Sequence, residues 1–201
     1  ILAGALWGVT KIEVDNLLLE DLAKDDPLRQ EFQFFEEHFA GARPFELSIQ
    51  ITDSLNVYDI SVQQEVQSIG QYLKESYGVG SLVSSSEIFR QLNRWSNGDQ
   101  NSFDRLPIRQ SELDDLIQNI ERFGAGQLLT LVAHPEGKLL RLFGKVPDIG
   151  AQAYIKKNAE FHRWFEQTHP KSSLDLHVTG TAQLIDLNVA FLATDMLKGL
   201  S

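Results

Sequence analysis

Alternating apolar and polar positions predict the strands of this chain, because a strand with one buried face repeats every two residues. The alternation is found at 10–15, 44–52, 138–146 and 174–179. A short apolar run at 79–83 predicts a buried strand, and 127–133 predicts a further strand. The turn His134-Pro135-Glu136-Gly137 has the length and chemistry of a hairpin between 127–133 and 138–146.

Helical periodicity occupies the intervals between these strands. Asp26 can cap a helix whose first position is Pro27, and Gly41 can end it. Further helices are predicted over about 60–77, after the cap pairs Ser84–Glu87 and Ser111–Asp114, over 149–169 and from about 182. The apolar stripes of these helices are Leu28, Phe32, Phe35 and Phe39; Val62, Val66, Ile69 and Leu73; Ile88, Leu92 and Trp95; Leu113, Leu116, Ile117 and Ile120; Tyr154, Phe161 and Phe165; and Ile185, Val189, Leu192 and Met196.

The order of these elements predicts an α+β, ferredoxin-like split βαβ sandwich. Residues 44–84 form one βαβ unit, which implies two parallel strands, and 138–179 form another. Two such units around one antiparallel pairing place the helices on one face of a mainly antiparallel sheet. Additional helices lie between the halves and at both ends.

We expect one domain over 1–201, since this length suits one large domain or two small ones. Its parts are a lead-in strand and helix at 1–43, the first βαβ unit at 44–84 and a helical insertion at 85–126. The hairpin and second βαβ unit follow at 127–180, and a last helix at 181–201.

The net charge of −10, from 28 acidic and 18 basic residues, excludes a protein built to bind the phosphate backbone of nucleic acid. Nine acids and two bases lie between Glu13 and Glu37, a concentration typical of a solvated face or a docking surface. The chain has no cysteine, which excludes disulfides, thiolate metal sites and cysteine nucleophiles.

Candidate catalytic or metal-binding residues are few, and motifs for nucleotide binding, serine hydrolysis, zinc proteolysis or EF-hand calcium binding are missing. His162, Glu166 and His169 share one helical face at i, i+4 and i+7, a spacing that could hold a metal. An exposed helix end is the simpler interpretation. His38, beside Glu36 and Glu37, suits a solvated helix end better than a proton relay.

The remaining polar candidates also have structural interpretations. Asp25–Asp26 and Asp114–Asp115 are sequence neighbours at helix starts, where acids cap, and adjacent helical residues point about 100° apart. His134 belongs to a turn and His177 to a polar strand face. Trp95 and Trp164 are predicted to pack in the core. We therefore expect no catalytic residue, no metal site and no cofactor.

The two ends of the chain are apolar. The run 1–9 carries no charge, but nine residues are too few to span a membrane, and they lack the pattern of a signal peptide. Because the chain does not begin with Met, one interpretation is a soluble loop cut where two transmembrane helices begin. The other is a core strand and a core helix.

Several motifs, in order, resemble the extracytoplasmic loops of RND-superfamily exporters of the MMPL/Patched-like branch. An acidic stretch before a "D-x-P" helix is followed by "F-x-G" and a strand, then a "p-G-V-x-x-V-x-S" strand and a "V-T-G-x-x-x-L" junction. The corresponding residues are 14–16, 20–22 and 24–28; Phe35, Phe39, Gly41 and 43–47; 77–84; and 178–184. Tyr77 stands where the family usually has Pro.

The resemblance covers most of 14–201 and is weakest over 85–126. It implies a ferredoxin-like porter domain of a proton-driven exporter, on the periplasmic side of the bacterial inner membrane. The implied partners are a second porter domain and the transmembrane helices of the same parent chain, a lipid or other hydrophobic substrate, and further copies of the full-length transporter. It implies no catalytic residue, because proton coupling takes place in the membrane part.

Two alternatives remain open. One is a free-standing acidic ferredoxin-like module that binds a ligand or regulates a partner, since this fold supports many unrelated functions. The other is a small enzyme that uses a carboxylate or histidine site, for which His162 and Glu166 would be the residues to test.

Overall fold

The computed structural model describes residues 17, 22–23, 25–122, 126–188 and 191. Several predictions fall outside these residues: the strand at 10–15, the apolar run 1–9, Gly124 as a helix end, and the positions of Val189, Leu192 and Met196. Among the described residues, no helix is both long enough and apolar enough to cross a membrane.

Four strands form one antiparallel sheet, as the split βαβ arrangement requires. They are β1 (Arg43–Ile51), β2 (Gly80–Val83), β3 (Leu139–Val146) and β4 (Leu174–Thr179). Their order in the sheet is β2-β3-β1-β4. β1 pairs antiparallel with both β3 and β4, and β2 pairs antiparallel with β3. The strands of each βαβ unit therefore run parallel to one another with a third strand between them, and the α+β fold predicted from the sequence is confirmed.

The helices occupy the intervals that periodicity indicates. They are α1 (Pro27–His38), α2 (Ile60–Tyr72, continued as a π-helix over Leu73–Tyr77), α3 (Ser85–Ser96), α4 (Gln110–Arg122), α5 (Gln127–Thr130) and α6 (Ala151–Thr168). A short 3-10 turn lies at Asn101–Phe103, and residues 181–188 form a last helix, α7. Asp26 caps α1 by accepting a hydrogen bond from the Leu28 amide at 2.8 Å.

The main core lies between the sheet and two helices, α2 and α6. The predicted stripe of α2 is buried, and so are Tyr154, Phe161 and Phe165 of α6. These side chains pack on alternate residues of β1, namely Phe45, Leu47, Ile49 and Ile51. Trp164 packs at the edge of this core, stacked on Tyr72 with 4.2 Å between ring centroids, which agrees with its predicted packing role.

A second, smaller core holds the segment between β2 and β3 together. It is formed by Phe89, Leu92, Leu106, Leu113, Leu116, Ile120 and Leu129. Ser84 caps the start of α3, because its Oγ accepts a hydrogen bond from the Glu87 amide at 3.2 Å. Burial alone would raise the pKa of Glu87, but its bond to Arg90 and the charge of Lys74 outweigh burial and lower that pKa.

The strand predicted at 127–133 is wrong. Residues Gln127–Thr130 form the short helix α5, and only Ala133 bridges to β3, at Leu140. Leu129 and Val132 are both buried, and a spacing of three residues directs two side chains to the same side of a helical turn. A run of six apolar or small residues cannot by periodicity alone distinguish a buried strand from a helical turn.

Two predicted helix faces are rotated from their expected positions. Trp95 is 58% exposed, because α3 buries the face of Phe89 and Leu92 instead; the packing prediction for Trp95 is wrong. On α7, Ile185 is 40% exposed and the neighbouring Asp186 is buried. α1 forms as predicted, but none of its residues is buried against the described part of the chain.

Candidate functional site

A buried charged cluster joins the start of β1 to α7, and we call Arg43, Asp148, Tyr154 and Asp186 the sheet-edge cluster. The Arg43 guanidinium forms an ion pair with Asp186, and its Nη1 lies 3.7 Å from Asp148 Oδ1. Its Nη2 also donates to the Ala182 carbonyl at 3.3 Å. All three charged side chains are at most 7% exposed. Ionised groups so far from water are tolerated only when paired.

The ring of Tyr154 contacts the Arg43 guanidinium. The Arg43 guanidinium carbon lies 4.7 Å from the centre of the Tyr154 ring, a cation–π geometry. The Tyr154 hydroxyl donates to the Pro147 carbonyl. Burial raises the pKa of Tyr154 well above its usual range, so the hydroxyl stays protonated at neutral pH. Burial by itself would lower the pKa of Arg43. The hydrogen bond and the charge of Asp186 outweigh burial, so the pKa of Arg43 is raised above its ordinary value.

A chain of neutral hydrogen bonds lies beside the cluster, where the Tyr77 ring stacks on that of Tyr154 with 6.0 Å between ring centroids. The Tyr77 hydroxyl donates to Asn158 Oδ1 at 2.6 Å, and Asn158 Nδ2 donates to Gln183 Oε1 at 3.2 Å. Burial raises the pKa of Tyr77 far above its usual range, which keeps this phenol a donor. The chain links the end of α2 to α6 and α7.

The end of α1 is attached to the same edge of the sheet. Glu36 accepts hydrogen bonds from the amides of Ala42, at 2.9 Å, and Asp148, at 3.3 Å. Gly41 has φ +115°, and a Cβ atom there would lie 2.2 Å from the carbonyl carbon and oxygen of Val146. The position therefore requires glycine, and the chain enters β1 pressed against the end of β3.

The geometry of this edge favours a mechanical role. The adjoining cavity, of about 10 Å³, has room for one water molecule at most. The charged groups are engaged with one another, and the phenols are held as hydrogen-bond donors. The cluster instead fastens the segment that enters the sheet to the helix that leaves it.

A larger groove lies on the outer face of the sheet, opposite the main core. Its volume is about 320 Å³, and its apolar lining includes Leu131, Pro135 and Leu139. Arg141 and Glu46 stand at this groove as a two-pronged ion pair, with nitrogen–oxygen distances of 2.9 and 3.1 Å. We call this the outer-face groove. An apolar floor beside fixed polar groups is typical of sites that accept hydrophobic ligands.

The metal interpretation of His162, Glu166 and His169 has no support in the geometry. α6 ends at Thr168, so His169 leaves the helical face that the other two share. Glu166 is exposed, and His162 is half-buried against the neighbouring Phe161 ring. Over the described residues, no group of three or more histidine, aspartate and glutamate side chains could hold a metal ion.

His169 belongs to a contact that the sequence did not indicate. Its Nε2 lies 3.1 Å from Ser68 Oγ, and its Nδ1 lies 3.9 Å from Glu65 Oε2. A serine, a histidine and an acid can together activate a nucleophile, although here the acid lies beyond hydrogen-bond reach of the histidine. Ser68 lies inside α2, however, where the neighbouring backbone amides are used in helical hydrogen bonds and none is available for an oxyanion. The contact fastens the end of α6 to α2.

The other histidines make local contacts, in keeping with their structural interpretation. His38 Nδ1 lies 2.9 Å from the Phe34 carbonyl, one turn back on α1. His134 is in the turn before β3, with Nδ1 4.0 Å from Glu136. His177 faces outward on β4, with Nε2 3.0 Å from Asp175.

The acidic pairs do not form a joint site. Asp26 caps α1, whereas α4 begins at Gln110, so Ser111 and Asp114 are not its capping pair as predicted. Asp114 accepts from the Gln110 side chain at 2.8 Å. Glu112 instead accepts a hydrogen bond from the backbone amide of Ile108, which precedes the helix, at 3.0 Å.

Arg43 and Asp186 form a buried charged pair that the sequence patterns did not predict, although each residue leaves a signal. Arg43 occupies the same phase of β1 as the buried Phe45 and Leu47, so its side chain points inward. Asp186 lies four residues after Ala182 and thus on the same side of α7. When a basic and an acidic side chain both point inward, each needs a partner of opposite charge, so the two are expected to pair.

The chain was also compared with known proteins: no family model matches it, and neither does any curated protein or solved structure.

Proposed function

We propose that this chain is an extracytoplasmic porter domain of an RND-type, proton-driven exporter of the bacterial inner membrane, and that it forms part of the path of a lipid or other hydrophobic substrate. On this proposal the domain is not an enzyme. It acts by moving against a second porter domain of the same parent chain, which opens or closes the path between them. Motifs spread over 14–201 support it, together with the geometry of the sheet edge.

The observation that carries the proposal is the sheet-edge cluster. A loop between two transmembrane helices must leave and return to one bilayer, so its two ends must lie close together. Arg43, at the first position of β1, pairs with Asp186 on α7, and Glu46 is paired with Thr179 in the sheet. The start of β1 and the helix that follows β4 thus meet at one point, where a buried ion pair joins the two segments.

The outer-face groove supplies a surface for the substrate path. It is apolar, it lies outside the main core, and Leu131 and Leu139 on it are 55% and 38% exposed. Side chains that are already exposed can be replaced without opening a cavity, so this groove can be tested separately from folding.

The first experiment is to sequence the source gene on both sides of the segment that encodes residues 1–201. The proposal expects an apolar segment of about 20 residues in frame before residue 1 and another after residue 201. A start codon and a stop codon directly at the two ends would refute it and leave the free-standing module as the better interpretation.

The second experiment measures export by the full-length parent protein. Leu139→Asp places a charge in the outer-face groove and is expected to lower export of a fluorescent lipid by more than fivefold. Ile108→Asp is the matched control, because Ile108 is 62% exposed and lies in the helical insertion, away from this groove. If both variants reach the membrane in equal amounts and export equally well, the outer-face groove is not part of the path.

A further inference from the structure

A second, polar groove lies in the helical insertion, between the facing sides of α3 and α4. Its volume is about 310 Å³, the lower end of the ~300–1,000 Å³ range typical of small-molecule sites. Amide, carboxylate and guanidinium groups dominate its lining, and one aromatic ring, Phe103, adjoins them. We call it the insertion groove. Its residues take no part in the sheet-edge cluster or the outer-face groove.

Hydrogen bonds fix the walls of the insertion groove in place. Asn93 Nδ2 donates to the carbonyls of Phe103, at 3.2 Å, and Arg105, at 3.0 Å, and so holds the loop against α3. Asn97 Nδ2 donates to the Asn93 carbonyl at 2.8 Å. Arg105 is held by Glu112 at 3.4 Å. A site whose walls are already ordered loses little conformational entropy when a ligand binds.

On the α4 wall of this ordered groove, two of the described polar side chains have no protein partner. Within the described part of the chain, the side chains of Asp115 and Asn119 make no hydrogen bond or ion pair, although Asn119 is half-buried. They lie four residues apart on α4 and are therefore neighbours on one helical face. Together they offer two amide donors, an amide acceptor and a carboxylate acceptor, side by side. The half-buried Asn119 gains from a ligand that supplies its partners, and the exposed Asp115 is accessible to the same ligand.

The charges around the groove select the class of ligand. Glu112 is paired with both Arg105 and Arg109, so the unpaired charge at the groove is the carboxylate of Asp115, which repels an anionic ligand. A bound metal is disfavoured, because no cluster of three or more ligating side chains exists among the described residues. Adjacent donors and acceptors beside an aromatic ring suit a molecule that has neighbouring hydroxyl groups and an apolar C–H face.

We propose that the insertion groove binds a neutral sugar, with Asp115 and Asn119 hydrogen-bonding to neighbouring hydroxyls and the Phe103 ring lying against the C–H face. This proposal is independent of the exporter function. It requires only the helical insertion, and it holds equally for a free-standing module.

The test is nuclear magnetic resonance of the isotope-labelled 201-residue chain, titrated with glucose, galactose, mannose and N-acetylglucosamine. Titration up to about 50 mM would reveal a Kd of about 10 mM. At least one sugar is expected to shift the Asn119 side-chain amide and the Phe103 ring signals. Glucose 6-phosphate, titrated in parallel, is expected to bind at least fivefold more weakly than glucose because of the carboxylates.

Variants decide whether the shifts come from this site. Asn119→Ala and Asp115→Asn should each weaken binding at least fivefold, and the matched control Gln118→Ala, an exposed neighbour on α4, should not. Asp115 is exposed, so its replacement keeps the test valid if Asn119→Ala disturbs folding. The proposal is overturned if no neutral sugar shifts these signals, if Gln118→Ala weakens binding as much as Asn119→Ala, or if the phosphorylated sugar binds as tightly as the neutral one.

Discussion

Replacing Asp186 with asparagine removes the carboxylate charge that neutralises Arg43 and keeps nearly the same side-chain volume. Breaking a buried ion pair in this way costs about 3–5 kcal/mol of unfolding free energy. Arg43 keeps Asp148 at 3.7 Å and the Tyr154 ring at 4.7 Å, so the lower end of that range, about 3 kcal/mol, is expected. For a domain of this size, such a loss lowers Tm by about 6–12 °C.

Replacing the other partner, by Arg43→Met, should cost more unfolding free energy than Asp186→Asn. It leaves two carboxylates, Asp148 and Asp186, buried side by side without a cation. The double variant Arg43→Met/Asp186→Met removes the pair as a unit, and its cost should be smaller than the sum of the single costs by at least ~2 kcal/mol. The assay is urea unfolding followed by circular dichroism and tryptophan fluorescence, with unchanged m-values as the check on two-state behaviour.

Glu46→Gln is the control for this double-mutant cycle. It breaks the Arg141–Glu46 pair, whose side chains are 54% and 30% exposed, and should cost only about 0–1 kcal/mol. In ~1 M NaCl, where the Debye length is about 3 Å, this small cost should disappear while that of Asp186→Asn persists. Single costs below ~1 kcal/mol, or costs that add in the double variant, would show that the sheet-edge cluster does not hold these segments together.

Three further predictions concern single positions. Gly41→Ala places a Cβ atom 2.2 Å from the Val146 carbonyl at φ +115° and should destabilise the domain by more than ~3 kcal/mol, whereas Gly98→Ala, with φ +72° and open space around it, should cost about 1 kcal/mol in the same urea assay. The pKa of Glu87 is lowered in the folded state, so its stabilisation exists above the unfolded value and is lost as the pH falls through the folded one. Glu87→Gln should accordingly be less stable than the parent chain at pH 7, and the difference should narrow as the pH falls below the unfolded value in unfolding titrations; a difference that stays constant as the pH falls would contradict the assignment. Burial raises the pKa of Tyr154, so its contribution is complete below the unfolded value of about 10 and is lost as the pH rises above it. Ultraviolet titration should show the Tyr154 phenol ionising only when the chain unfolds at alkaline pH. Tyr154→Phe should therefore remove one phenol from the part of the curve that accompanies unfolding. Ionisation of Tyr154 in the folded chain would disprove its burial.

The elements of this protein follow closely from local sequence. The two-residue alternation in β1 and β4 and the helical periodicity of α2 and α6 are strong because each element has one face in the main core. The turn chemistry at Gly78 and the cap at Asp26 mark helix boundaries through backbone requirements that act within a few residues. Sequence periodicity and capping residues were sufficient to predict an element wherever one of its faces is buried and the apolar positions repeat regularly.

Predictions failed where more than one packing suits the same pattern. The run 127–133 is apolar on nearly every residue, and whether it pairs with β3 or turns as α5 depends on the second core, which is formed by distant residues such as Phe89. Trp95 shares a helical stripe with Leu92, yet the second core accepts the adjacent face of α3. A periodic pattern identifies an apolar face only to within about one residue of rotation.

The candidate sites depended almost wholly on tertiary structure. Arg43 and Asp186 are 143 positions apart, and neither lies in a motif that marks it as charged and buried. That Asp115 and Asn119 face the insertion groove follows from how α3 and α4 pack together, and no sequence motif marks them. The sequence by itself determined the α+β class, most of the elements and the acidic, cysteine-free chemistry, because these depend on composition and short-range periodicity. The tertiary structure alone decided which charges are buried together and which polar groups face a cavity, because both depend on contacts between residues far apart in the chain.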